Sequence, residues 1–293
     1  MIQQKPYDFM VKYTQQKDWI DGRGNFIAFA FFLGGISGGL FMASAYFDSL
    51  LGMFISWLLS LGMGLSYMLH LTKPLRAWRM IVKPGTSWIS RGFTFIMLFI
   101  CLTFITLVLR TWFPDNTTAI TTFKILAGIF AFAQSIYTGF AVSYVSAIKL
   151  WNSAILPILF VVCGFSGGLA ILLGISLEGD HVAAIENMAR ITLIGFAIIL
   201  TVYLWNSTYT STTAKDSVRR VVRGSIAGIF WTGVVLLGIV IPIAISVVTY
   251  FLAGSHSGLL LTAVICEILG GLALRYVILK AGVYSPLIPG PQS

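Results

Sequence analysis

Eight apolar stretches of about 20 residues constrain this chain more than any other feature. They run Phe26–Phe47, Leu50–Leu71, Gly92–Thr111, Phe123–Ile148, Asn152–Leu177, Asn187–Asn206, Ser225–Phe251 and Gly258–Leu279. A helix of about 20 apolar residues crosses the ~30 Å hydrocarbon core of a bilayer, and soluble strands are far shorter. Most of the gaps carry turn or charge signals: Asp48, Pro114-Asp115-Asn116, Glu178-Gly179-Asp180 and Gly254-Ser255-His256. Of 293 residues, 57% are hydrophobic and only 10% charged, against about 25% charged in soluble domains. A globule in water could not cover so much apolar surface. The expected fold is an all-α polytopic membrane protein of eight transmembrane helices, forming one integral membrane domain over residues 1–293.

The charges support that count. Eight spans put both termini on one face, side A, with the loops after the second, fourth and sixth helices. Sixteen of the nineteen Lys and Arg residues fall there; Arg110, Lys124 and Arg190 fall on side B with Asp48, Asp115, Glu178, Asp180 and Glu186. The positive-inside rule places side A in the cytoplasm of a prokaryotic cell, across its inner membrane. Residues 1–24 hold Lys5, Lys12, Lys17 and Arg23 but no apolar h-region, so the first span is expected to serve as its own insertion signal.

A short motif recurs. Gly35-Ile36-Ser37-Gly38-Gly39-Leu40 in the first span resembles Gly164-Phe165-Ser166-Gly167-Gly168-Leu169 in the fifth. One reading is a parallel repeat of two four-helix halves, about 26–148 and 152–280. The other is that small residues let helices pack closely.

Redox ligands are sparse. Bis-histidine haem needs two histidines facing each other inside the membrane. Only His70, His181 and His256 exist, the last two in side-B loops. Cys101, Cys163 and Cys266 form no CxxC pair, so no haem, iron–sulfur cluster or other metal is expected in this chain. Intramembrane polar groups are the better clue. Glu267, in the eighth span, is either a structural carboxyl or a proton relay. Gln134 and Tyr137 lie one turn apart in the fourth span, either bonding helices together or meeting a quinone. Arg190 opens the sixth span as a candidate interfacial anchor, Asn25 opens the first as a candidate cap, and His70 ends the second. The loop after His70 alternates basic residues with tryptophan, which suits anionic lipid or a docking partner.

Together these segments resemble the NrfD/PsrC family, the membrane subunits of polysulfide-reductase-like complexes. The resemblance rests on His70–Trp78 with Ser87–Gly92, on Tyr137–Gly139, Leu150–Phe160 and Gly164–Gly168, and on Glu267–Gly271 through Tyr276. It covers nearly the whole chain. It implies two four-helix bundles and a menaquinone or other quinone bound near side A. An iron–sulfur electron-transfer subunit would dock on the Lys73–Arg91 side and lead to a molybdopterin catalytic subunit. Tyr137 aligns with a quinone-contacting tyrosine, Asn25 lies near polar quinone contacts, and Arg190 matches an arginine on a proton route. Ala30 stands where some members carry histidine. Many members keep their partner outside the cytoplasm, which opposes the charge rule.

The function expected is electron exchange between quinol or quinone and that iron–sulfur partner in anaerobic respiration, with proton translocation as an optional addition. The headgroup would meet Tyr137 with His70 or Asn25 nearby, Gln134 would pass a proton inward, and Glu267 and Arg190 would continue the route. The partners expected are protein and lipid, with no nucleic acid. A secondary transporter or a purely structural anchor are the alternatives; neither requires an iron–sulfur partner.

Overall fold

Each apolar stretch is a helix in the computed structural model, which describes residues 10, 13–82, 85, 87–177, 179, 181–251 and 257–286. With one charged helix between the sixth and seventh of them, the helices in chain order are α1 (Asn25–Tyr46), α2 (Leu50–His70), α3 (Trp88–Trp112), α4 (Thr117–Ser143), α5 (Ile155–Ile175), α6 (Val182–Thr210), α7 (Thr212–Arg223), α8 (Ile229–Phe251) and α9 (Ser257–Lys280). All but α7 are long and apolar enough to cross a membrane. Lys5, Lys12, Lys83, Thr86, Glu178, Asp180 and Gly254-Ser255-His256 lie outside the described residues.

Local chemistry moves several boundaries. Ser87 accepts a hydrogen bond from Ser90 N, which starts α3 at Trp88, before Gly92. Asn116 accepts from Ala119 N and starts α4 at Thr117. These polar first turns are cheap to cap and invisible to hydropathy. Further on, α4 stops at Ser143 although the apolar sequence runs to Ile148. The surplus apolar residues Ile148, Leu150 and Trp151 are fully buried in a non-helical loop. The Tyr203 hydroxyl donates to Leu150 O at 2.8 Å, Trp151 Nε1 to Ile278 O at 2.8 Å, and Asn152 Nδ2 to Ser143 O at 3.0 Å. These bonds pair the loop carbonyl of Leu150 and end carbonyls of α9 and α4.

Two four-membered rings of helices result. In the first, α1 packs on α2, α2 on α3, α3 on α4 and α4 back on α1. In the second, the order is α5, α6, α8 and α9, with α9 closing on α5. The two halves meet chiefly where α1 crosses α5. There the recurring glycine motifs face each other: a Cβ on Gly164 would sit 2.6 Å from Gly35 O, and one on Gly168 would overlap the backbone of Leu40. Small residues let the two backbones touch there. Helices outside the seam turn large side chains such as Leu65, Phe104, Ile191 and Trp205 outward, as a lipid-facing surface requires.

On side A, β1 (Thr14–Gln15) pairs antiparallel with β2 (Val283–Tyr284), and Ile148 bridges to Tyr284. The strap Tyr13–Arg23 is pinned there: Gln16 Nε2 donates to Leu279 O at 2.5 Å, and Trp19 packs on Trp151 at 5.3 Å between ring centroids. Neither this strap nor α7 is signalled by the hydropathy pattern. That helix buries Ala214, Ser217, Val218 and Val221 and exposes Lys215 and Arg219. On side B, Asp48 binds Arg110 at 2.9 Å and Lys124 at 3.0 Å, tying the α1–α2 turn to α3 and α4.

Candidate functional site

The side-A end of the first bundle encloses a cavity of about 1090 Å³. Four helices wall it: α1 through Phe31, α2 through Tyr67 and His70, α3 through Trp88 and Ile96, and α4 through Tyr137. The strap contributes Asp18 and Trp19. A 3-10 helix, Pro74–Ile81, lies across the mouth, turning Ala77 and Met80 inward and leaving Leu75 and Trp78 exposed. An apolar cavity with a few polar groups is the usual form of a small-molecule site.

The motif residues have separate jobs in building it. Ser87 caps α3. Trp88 forms wall, stacked on Phe140 at 5.5 Å, with the Arg91 guanidinium 4.9 Å from the centroid of its ring. Gly92 leaves the space that the Tyr137 ring occupies; a Cβ there would overlap the ring. Gly139, two residues on from Tyr137, lets α4 close on Pro157. Tyr137 is buried, 6% exposed, and its side chain faces the cavity.

His70 shares the cavity wall, its Nδ1 3.1 Å from Arg23 O. A carbonyl only accepts, so this bond requires the proton on Nδ1 and leaves the Nε2 lone pair available in the neutral ring. Tyr67, which carries no motif signal, lines the same cavity and packs against the cluster of Ala30, Met63 and Ile96. Its hydroxyl is buried without a hydrogen-bond partner among the described residues, and its ring stands edge-on to Phe31 at 6.3 Å.

Other expected residues lie elsewhere. Gln134 is fully buried: Ser60 Oγ donates to its Oε1 at 2.9 Å, and its Nε2 donates to Ser37 Oγ at 2.6 Å. Its amide therefore joins α4 to α1 and α2 and is not among the cavity-lining groups. Asn25 is exposed at the start of α1, also off the cavity wall. Glu267 bonds Ser166 within the second bundle and lines a water-sized space, about 30 Å³, that Arg190 also lines. Arg190 is not at the opening of its helix, because α6 begins at Val182. It donates to Glu186 at 3.0 Å and to Ser246 Oγ at 2.7 Å, reaching across to α8.

Arg275 counts among the side-A basic residues by sequence, yet it is 1% exposed. Its Nη2 donates to Phe160 O at 2.8 Å, while Nε and Nη1 have no hydrogen-bond partner among the described residues. Outside the spans, burial and the neighbouring Asp18 carboxylate push the Tyr284 phenol up. Among the described residues no three His, Cys, Asp or Glu side chains gather as a metal site would need.

A family model described as "Polysulphide reductase, NrfD" matches residues 24–286. The C subunit of polysulfide reductase from Wolinella succinogenes is 28% identical over 167 residues, 54% of this chain and 53% of the relative. A protein NrfD homolog of Haemophilus influenzae is 27% identical over 169 residues, 54% of this chain and 52% of the relative. The chain spans about half the length of each of these relatives.

Proposed function

The chain belongs to the polysulphide reductase NrfD family, and from that premise we propose that it is the membrane subunit through which a redox complex exchanges electrons with quinol or quinone. The single observation that carries the reading is the side-A cavity with Tyr137 and the His70 ring on its wall. The headgroup binds there, with Tyr137 donating to one ring oxygen and His70 Nε2 accepting from the quinol form. The apolar remainder of the cavity takes the isoprenoid side of a menaquinone or related quinone. Exposed Leu75 and Trp78, with the cations between Lys73 and Arg91, suit a docked iron–sulfur subunit on side A. A molybdopterin catalytic subunit lies beyond that partner, and the chain resides in a prokaryotic inner membrane. Glu267 and Arg190, joined by their shared small space, are candidates for a proton route toward side B. Asn25 and Gln134 act at most by shaping α1 and α4 around the site.

The test is Tyr137→Phe in the assembled complex. Losing a hydrogen bond of about 1.4 kcal/mol costs about tenfold in rate. Quinol-coupled turnover should fall by about that factor, while dye-linked activity of the catalytic subunit stays at the parental level. Parental quinol turnover and affinity in the Phe variant would make Tyr137 a packing residue and remove this site.

A further inference from the structure

The strap Tyr13–Arg23 forms part of the cavity wall. It brings Asp18 to the cavity wall and, through Arg23 O, holds the His70 ring in the tautomer whose Nε2 can accept a proton. Asp18 is exposed and is also one of the residues lining the cavity. One short segment therefore supplies both an orienting group and an acid at the same opening. The turn is internally braced, with Trp19 N donating to Gln16 Oε1 at 3.0 Å and Asp21 N to Lys17 O at 2.8 Å. Trp19 anchors it against Trp151 and Phe31. Tyr284 on β2 feels the Asp18 charge; Lys17, Asp21 and Arg23 share the strap, and Tyr67, His70, Tyr137 and Tyr144 share the cavity wall.

We propose that Asp18 is the proton exit of this cavity, exchanging protons between His70 and side-A water. The inference rests on the quinone reading above. When quinol is oxidised, its two O–H bonds break and two electrons leave singly to an iron–sulfur cluster of the docked partner. A hydroxyl proton passes to His70 Nε2, the resulting imidazolium gives a proton to water at the cavity mouth, and that water passes it to the Asp18 carboxylate, which returns it to side-A water. His70 is then neutral again and takes the second proton the same way. Quinone reduction runs the same steps backwards. Protons and electrons leave on one face, so this step by itself moves no net charge across the membrane.

Asp18→Asn in the full complex should lower quinol-linked kcat about tenfold or more with KM unchanged and dye-linked activity intact. Asp18→Glu should restore most of the rate, and added imidazole, a diffusible proton carrier, should restore part of it in the Asn variant. A merely structural role would raise KM and would not respond to imidazole. In parental proteoliposomes, a pH indicator confined to side A should report acidification that matches quinol consumed; this readout needs no variant. An Asn variant turning over at the parental rate, or the protons appearing on side B, overturns this inference alone. A parental complex that neither binds nor oxidises quinol overturns it together with the proposed function.

Discussion

Asp48 takes a left-handed backbone, φ 58°, at the turn between α1 and α2, a conformation that Asn also tolerates. Asp48→Asn therefore removes the charge while keeping the turn. Burial by itself would raise the carboxyl, but hydrogen bonds and charge from Lys124 and Arg110 outweigh it and hold Asp48 below its usual value. A depressed folded pKa means that the stabilisation is present above the unfolded value, about pH 4, and is lost as pH falls through the depressed one. The Asn variant should melt slightly below the parent at neutral pH, and the two should converge in acid, as followed by Tm against pH in detergent. The side chain is 60% exposed, so the effect is well under about 1 kcal/mol. A gap that widens in acid would refute the ion-pair account. At this scale the sequence is informative unevenly. Tyr137 and His70 are recognisable from their motifs, and Gly92 takes its meaning from the Tyr137 ring resting on it. Gln134 shows the limit: three residues from Tyr137 is one helical turn, but the remaining rotation points its amide at Ser37 and Ser60 instead of the cavity. Asp18 and Tyr67 carry no signal, because only tertiary folding brings a strap and α2 to the same wall as α4.

Helices are legible through length and hydropathy, since the bilayer sets both. Elements that lie along the surface are not. Thr212–Arg223 has too many charges for a span, and its buried stripe of Ala214, Ser217, Val218 and Val221 is covered by protein. The buried loop through Ile148, Leu150 and Trp151 misleads in the opposite sense, extending the apolar run past the true end of α4. The seam between α1 and α5 offers the sharpest test at this scale. Gly164→Ala adds one methyl group where the nearest atoms are the backbone of Gly35, 2.6 Å from Gly35 O. Backbone cannot swing aside as a flexible side chain does, so overpacking of about 1–3 kcal/mol is expected. The variant should give less monodisperse protein by size exclusion and a lower Tm. Gly195→Ala, on α6 with open space around it, should behave like the parent. Equal stability of the two variants would show that the seam is looser than the geometry describes.

Across the whole molecule the halves divide their work. The first bundle carries the side-A cavity, and the second carries Glu267, Arg190 and the buried Arg275. That guanidinium sits where the two bundles meet, next to Gly35. The side-A surface brings together the strap, the 3-10 helix and the β1–β2 pair, whereas side B offers the Asp48 ion cluster. The proposed function places electron exchange at the first bundle. It is tested most directly by photolabelling the purified complex with an azido-quinone and mapping the adduct by mass spectrometry. The account predicts label on α3 or α4 peptides bearing Trp88 or Tyr137, or on the α2 peptide bearing His70, and loss of that label when unmodified quinone is in excess. Label confined to the second bundle, or to a partner subunit with this chain unmarked, would contradict it.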